Sequence, residues 1–293
     1  MAGKIREIKA RQKAVGNIER ITKTMQMIAT ARFQAMQRRA TAAQAYTRKI
    51  NEVVGELAAS VSGEISHPLL SAPRSPVGRQ LLLIISSNRG LCGGYNANIL
   101  RLAQAESRQS QASDERTFEL VGKKAQAYFK FNDIPVAQYH SQFGDDPDFA
   151  QVDALVDRYL QAFTQGQYDA IKVVSMRFHS MSQQTAEVTQ LLPMQPPAAL
   201  TDDDRQTQTV YEFSPEPQAI LSELLPMTVK TSLFQIFNEA LVSEQLARMV
   251  AMKAATDAAG KLKKNLGRQF NRARQTAITT ELSEIIGGAA AIA

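Results

Sequence analysis

The sequence predicts two long helices, one at each end of the chain, around an open α/β centre. Three observations carry this. All eleven prolines of the 293 residues fall between Pro68 and Pro226, and proline inside a helix costs about 3 kcal/mol, so the Pro-free ends permit long helices. Charge divides in the same way. Residues 1–60 hold 12 basic and 4 acidic side chains, residues 227–293 hold 9 and 5, and the middle holds 13 and 19. The centre also alternates short apolar runs with segments of helical spacing.

Element by element, residues 4–60 read as one helix, about 85 Å long at 1.5 Å per residue. Ile18, Ile21, Met25 and Ile28 are spaced 3, 4 and 3 apart, and Ile21, Ile28, Ala35 and Ala42 recur every seven residues. A seven-residue repeat keeps an apolar stripe against a partner helix and implies left-handed supercoiling. Gln80–Ser86 is a continuous apolar run, predicting a strand buried on both faces. A turn at Asn88-Arg89-Gly90 and a helix over Tyr95–Ala105 follow. Thr117–Val121 is a second strand, followed by a short helix through Ala125–Phe131. Residues 149–163 are helical, and Ala170–Met176 and Glu187–Leu192 are further strands. Alternating strands and helices imply an open sheet of parallel strands. Residues 193–209 read as a loop, and Val210–Phe213 as a last strand.

From Pro226 a second long helix is expected to run about 60 residues, or ~90 Å. Leu233, Ile236, Phe237, Ala240 and Leu241 form one apolar face. Ala255, Ala258, Leu262, Leu266, Phe270, Ala273 and Ala277 continue it, and Gly287-Gly288 loosens or ends it. Helices this long must bury a stripe to be stable. The economical solution is an antiparallel coiled coil of the two ends, because the centre lies between them in sequence. The domains are then 1–60, 61–216 and 217–293.

Composition excludes several classes. The single cysteine, Cys92, permits no intrachain disulfide. No run approaches the ~20 apolar residues of a membrane span. The start, MAGKIREIK, lacks the apolar core of a signal peptide. The loop Gly90-Leu91-Cys92-Gly93-Gly94 follows a strand and precedes a helix, where open α/β sheets bind phosphates. It matches neither G-x-G-x-x-G nor a P-loop, so its glycines read as a tight turn or as a nucleotide site. His67, His140 and His179 are scattered and offer Cys92 no base and a metal no ligand set. Asp202-Asp203-Asp204 reads as a solvated loop. No active site stands out. Two readings remain from the residues alone: a structural or mechanical subunit whose rod inserts into a partner, and a basic coiled coil that binds nucleic acid.

Three stretches decide between them by resemblance. NIERITKTMQMIATARF within Ile8–Arg32, SSNRGLCGGYN at Ser86–Asn96, and SEQLARMVAMKAATDAAGKL with NRARQTAITTELSEIIGGAAAI near the end resemble, in order, the first helix, signature loop and last helix of the gamma subunit of F-type ATP synthases. The resemblance implies a central Rossmann-like α/β domain and a coiled-coil shaft. The shaft would sit inside the hexamer of alpha and beta subunits, and the foot, with the epsilon subunit, on the membrane c ring. It implies torque transmission without bond chemistry, cofactor or metal, on the cytoplasmic face of a bacterial membrane.

By the same resemblance, Lys23 and Met25 face the acidic lever of a catalytic subunit, and Arg89 and Cys92 lie near it. Arg274, Gln275, Thr279 and Glu281 meet loops of the catalytic ring. Ile285 and Ile286 begin the apolar tip, and Tyr211 and Ser214 belong to the strand near the c ring. Asn88 stands where that family usually has Asp, Ala258 follows Asp257 where Asn is common, and Ser214 replaces a Glu.

Overall fold

A computed structural model describes residues 2–60, 69–70, 78–108, 115–194 and 217–292. The elements in chain order are α1 (Ala2–Ser60), β1 (Gln80–Ile85), α2 (Tyr95–Arg108), β2 (Arg116–Val121) and α3 (Lys123–Phe131). β3 (Gln138–His140), α4 (Phe149–Thr164), β4 (Ala170–Phe178), β5 (Gln184–Leu192) and α5 (Pro217–Ile292) complete them. The expected strand Val210–Phe213 lies outside the described residues. The chain forms two compact units, one of Met1–Ala31 with Arg248–Ala293 and one of Arg32–Ala247, so both long helices contribute to each.

In the larger unit the strand order is β3-β2-β1-β4-β5. β1 runs parallel to β2 and β4, β2 parallel to β3, and β4 antiparallel to β5. Side chains alternate across a strand, and β1 buries both sets. Leu81, Leu83 and Ile85 join Val152, Leu155, Val156 and Tyr159 of α4 and Leu221, Leu225, Val229, Leu233 and Phe237 of α5. Leu82 and Ile84 join Tyr95, Ile99 and Ala103 of α2 and Ala125 and Phe129 of α3. Each Leu, Ile, Val or Phe among them contributes about 1.5–3 kcal/mol when fully buried. That is why the run QLLLII does not alternate with polar residues.

Three expectations for this unit are corrected. β5 is antiparallel, because only residues 179–183 separate it from β4, too few for a crossover. β3, three residues long, leaves no periodic signal and is an additional strand. α5 begins at Pro217 and carries Pro226 inside it; the burial of Leu221, Leu225 and Val229 at 2%, 0% and 1% exposure offsets the lost amide.

In the smaller unit α1 and α5 pair antiparallel. Thr256 Oγ1 donates to Thr22 Oγ1 at 2.8 Å and Lys263 Nζ donates to Glu19 at 2.8 Å. Gly260 faces the Glu19 carboxylate and Gly267 the Gln12 amide, so small residues on one helix admit long polar side chains of the other. The α1 seam is Ile5, Ile8, Gln12, Val15, Glu19, Thr22, Gln26 and Ala29, at alternating steps of 3 and 4. On α5 it is Met252, Thr256, Ala259, Leu266, Phe270, Ala273 and Ala277.

The heptad repeat is therefore present, but on a different face of α1 from the one expected. Ile18, Ile21 and Ile28 are 51%, 59% and 52% exposed. Ala35 and Ala42, further along α1, are also exposed, and Met25 is half-buried. On α5, Ala258 and Leu262 face outward. Between residues 18 and 29 the buried seam positions are the small Thr22 and Ala29, and Ile18, Ile21 and Ile28 lie outside the seam. The helix also continues past Gly287-Gly288 to Ile292.

Candidate partner-contact surfaces

Doubly wound sheets bind ligands outside the carboxyl ends of their strands, where the connections turn in opposite directions. Here that place lies at the carboxyl ends of β1 and β4, beside the loop 86–94, and α5 crosses it, with Glu239 4.0 Å from Arg177 near the end of β4. Tyr95 OH donates to the Ala240 carbonyl at 3.1 Å. The space left among Ser86, Asn88, Phe143, Phe237 and Glu244 is a cavity of about 20 Å³, room for one water. A nucleotide does not fit.

The loop is built as a rigid turn. Leu91 and Gly93 take positive φ of 62° and 57°. Ser87 Oγ donates to the Arg89 carbonyl at 2.6 Å. Asn96 Oδ1 accepts from the Ser87 amide at 3.1 Å, and Asn96 Nδ2 donates to Cys92 Sγ at 3.2 Å. Cys92 is 2% exposed, so it acts on any surface only through the loop it braces. Arg89 is exposed at the rim, 3.1 Å from Asp145 Oδ2.

Sequence spacing missed one polar cluster. Glu119 of β2, 6% exposed, accepts on one oxygen from His140 at 2.6 Å, from Arg158 at 2.7 Å and from Tyr159 OH at 2.8 Å. Burial raises the Glu119 pKa. The hydrogen bonds from His140 and Tyr159 and the Arg158 charge outweigh it, so the carboxyl titrates below the usual carboxylate range. Burial and the neighbouring Glu119 charge push the Tyr159 hydroxyl well up. The cluster ties α4 to β2 and β3, with Glu119, His140 and Tyr159 buried and Arg158 at its outer edge. Among the described residues no group of three or more His, Cys, Asp and Glu is arranged to hold a metal.

The remaining expected contact residues are solvent-facing. Lys23 is exposed beside half-buried Met25. Arg274, Gln275, Thr279 and Glu281 are exposed along the end of α5, and Ile285 and Ile286 are 72% and 59% exposed. Ile278 and Leu282, at 55% and 56%, extend that apolar face. These residues of α1 and α5 share the smaller unit, whereas Arg89 and Cys92 share a loop of the larger. Tyr211 and Ser214 lie outside the described residues. The outward stripe Ile18, Ile21 and Ile28 is a further candidate surface; at about 100° per residue it lies roughly 120° around α1 from the seam.

A two-helix coiled coil made from both chain ends, with an α/β sheet whose ligand crevice is filled by one of those helices, defines a subunit that works through its surfaces. A family model described as ATP synthase matches residues 4–292. The chain is 40% identical over 292 residues to the ATP synthase gamma chain of Rhodopirellula baltica, covering 98% of each. It is 36% identical to that of Heliobacterium modesticaldum, covering 98% of this chain and 99% of the other. A chain of the Euglena gracilis mitochondrial ATP synthase, from a cryo-EM structure of its OSCP/F1/c-ring portion, shares the fold. Its TM-score is 0.69 at 19% identity, over 100% of this chain and 95% of that one. The chain belongs to the ATP synthase gamma chain family.

Proposed function

We propose that this chain is the central rotor shaft of an F-type ATP synthase, coupling ion flow through a membrane c ring to ATP synthesis or hydrolysis in the catalytic ring. The subunit itself performs no bond chemistry. The observation that carries this reading is the end of α5. There, past the seam residue Ala277, α5 exposes Ile278, Leu282, Ile285 and Ile286. An apolar tip suits rotation, because non-directional contacts trap no one orientation.

In this reading residues 1–60 and 217–293 form the shaft, and 61–216 the foot that meets the epsilon subunit and the c ring, with Tyr211 and Ser214 on the c-ring side. Lys23, Met25, Arg89, Cys92, Arg274, Gln275, Thr279, Glu281, Ile285 and Ile286 belong to the surfaces that meet the alpha and beta subunits. The basic shaft suits acidic segments of those partners. No helix among the described residues is long and apolar enough to cross a membrane. The reading makes the chain a peripheral protein on the cytoplasmic face of a bacterial plasma membrane. Isolation of the tagged chain from native membranes tests it. Recovery of an ATPase hexamer is expected, while recovery of nucleic acid, or ATP turnover by the pure chain, overturns the proposal.

A further inference from the structure

The loop joining β3 to α4, residues 141–148, is fastened by three arginines. Arg32 of α1 donates to Asp145 Oδ2 at 2.9 Å, and Arg89 of the loop after β1 lies 3.1 Å from the same oxygen. Arg39 pairs with Asp146 and donates to the Pro147 carbonyl at 2.8 Å, while its guanidinium sits over the Phe234 ring of α5 at 5.3 Å. Arg32 and Arg39 are seven residues apart, two turns along one face of α1. On its inner side the loop is anchored by Phe143, 2% exposed, whose ring centroid lies 4.7 Å from that of Phe237 of α5.

Asn88 closes the arrangement. Its Nδ2 donates to the Phe143 carbonyl at 3.3 Å and its Oδ1 accepts from the Lys123 amide at 3.3 Å, so both ends of the amide are used in the one orientation that satisfies them. A carboxylate at position 88 would turn an acceptor toward the Phe143 carbonyl.

We propose that residues 143–147 form a torque latch, joining α1 to the α/β sheet and to the loop carrying Arg89; this rests on the rotor reading. Buried packing at Phe33 and Val54 holds α1 against the rest of its unit, but it is short-ranged and acts close to the helix axis. Charge-assisted hydrogen bonds are directional, and here they act at the tips of long side chains, away from the helix axis. Arg32 and Arg39 thus add directional restraints on the turning of α1 to the buried packing of Phe33 and Val54. Asp145 and Asp146 are positioning residues.

The test uses the complete membrane-bound complex carrying Asp145→Asn with Asp146→Asn, and separately Arg32→Gln with Arg39→Gln. Assembled variant complexes are expected to keep hydrolysing ATP while losing most ATP-driven ion pumping per ATP consumed. Arg32→Lys with Arg39→Lys retains the charges and is expected to pump, and Asn88→Asp is expected to show a partial loss. A merely structural role would lower the amount of complex without lowering pumping per ATP. Wild-type pumping per ATP in both neutralised complexes overturns the latch, as does failure of both to assemble. Failure of the wild-type chain to co-purify with any ATPase instead overturns the rotor reading beneath it.

Discussion

Replacing Gly122 by Ala tests the packing that sets the loop after β1. Gly122 ends β2 at φ 90° and ψ 138°, a region populated essentially by glycine, where another residue costs of order 1–3 kcal/mol. A Cβ there would lie 2.2 Å from the Ser86 carbonyl oxygen, 2.6 Å from its carbon and 2.6 Å from Ser86 Oγ. Backbone must therefore move. Ser86 Oγ accepts from the Ala125 amide at 2.9 Å and donates to the Val121 carbonyl at 3.0 Å; losing these adds about 1 kcal/mol each. The expected total is about 3–5 kcal/mol, a large share of a typical stability of about 5–15 kcal/mol. Gly166→Ala is the control, since Gly166 has φ of 70° but nothing within 4 Å of its Cβ position, and is expected to cost about 1–2 kcal/mol. The chain has no Trp, and five of its seven tyrosines lie within residues 95–168. Urea unfolding of the purified chain followed by tyrosine near-UV circular dichroism therefore reports the sheet. A Gly122→Ala midpoint close to that of Gly166→Ala, at unchanged slope, would refute the steric argument.

Two further outcomes follow from the core and the coiled coil. Glu119→Gln is expected to cost about 2–4 kcal/mol at neutral pH, because it removes a buried charge that three donors address. The folded pKa of Glu119 is lowered. Its contribution is thus complete above the unfolded value of about 4.3 and disappears as pH falls through the folded one. Urea midpoints of wild type and variant should converge in acid, and a gap that widens there contradicts the assignment. On the coiled coil, Leu266→Ala is expected to cost about 2–3 kcal/mol. Ile21→Ser is expected to change stability by less than about 0.5 kcal/mol while lowering the amount of ATPase recovered with the tagged chain. Equal losses of thermal stability in the two variants would return Ile21 to the seam.

What the sequence made legible, and what it hid, follow from one physical distinction. Residues that bury area against many neighbours announce themselves: QLLLII, the 149–163 spacing and the Pro-free N-terminal end each predict an element at nearly its observed position, whereas α5 starts at Pro217, ahead of the expected Pro226. Residues chosen for fit or for a long-range partner do not. Thr22 and Ala29 are buried seam positions filled by small residues, whereas an apolar-periodicity argument passes over them and selects Ile18, Ile21 and Ile28. His140 looked isolated because Glu119 and Arg158, about twenty residues away on either side, reach it only through the sheet. Arg32 and Asp145 are 113 residues apart, and nothing local marks them as a pair.

The outward stripe of Ile18, Ile21 and Ile28 also bears on function. An isoleucine row that neither stabilises the helix pair nor lies beneath it is a cost in solvent unless another molecule covers it. Its conflict with a simple two-helix reading is therefore evidence about the partner surface. The filled crevice at Tyr95 and Ala240 is complementary evidence: the α/β centre has given up the usual ligand place of its fold to hold α5. Under the rotor reading this placement has a use, because a helix anchored there cannot turn independently of the sheet.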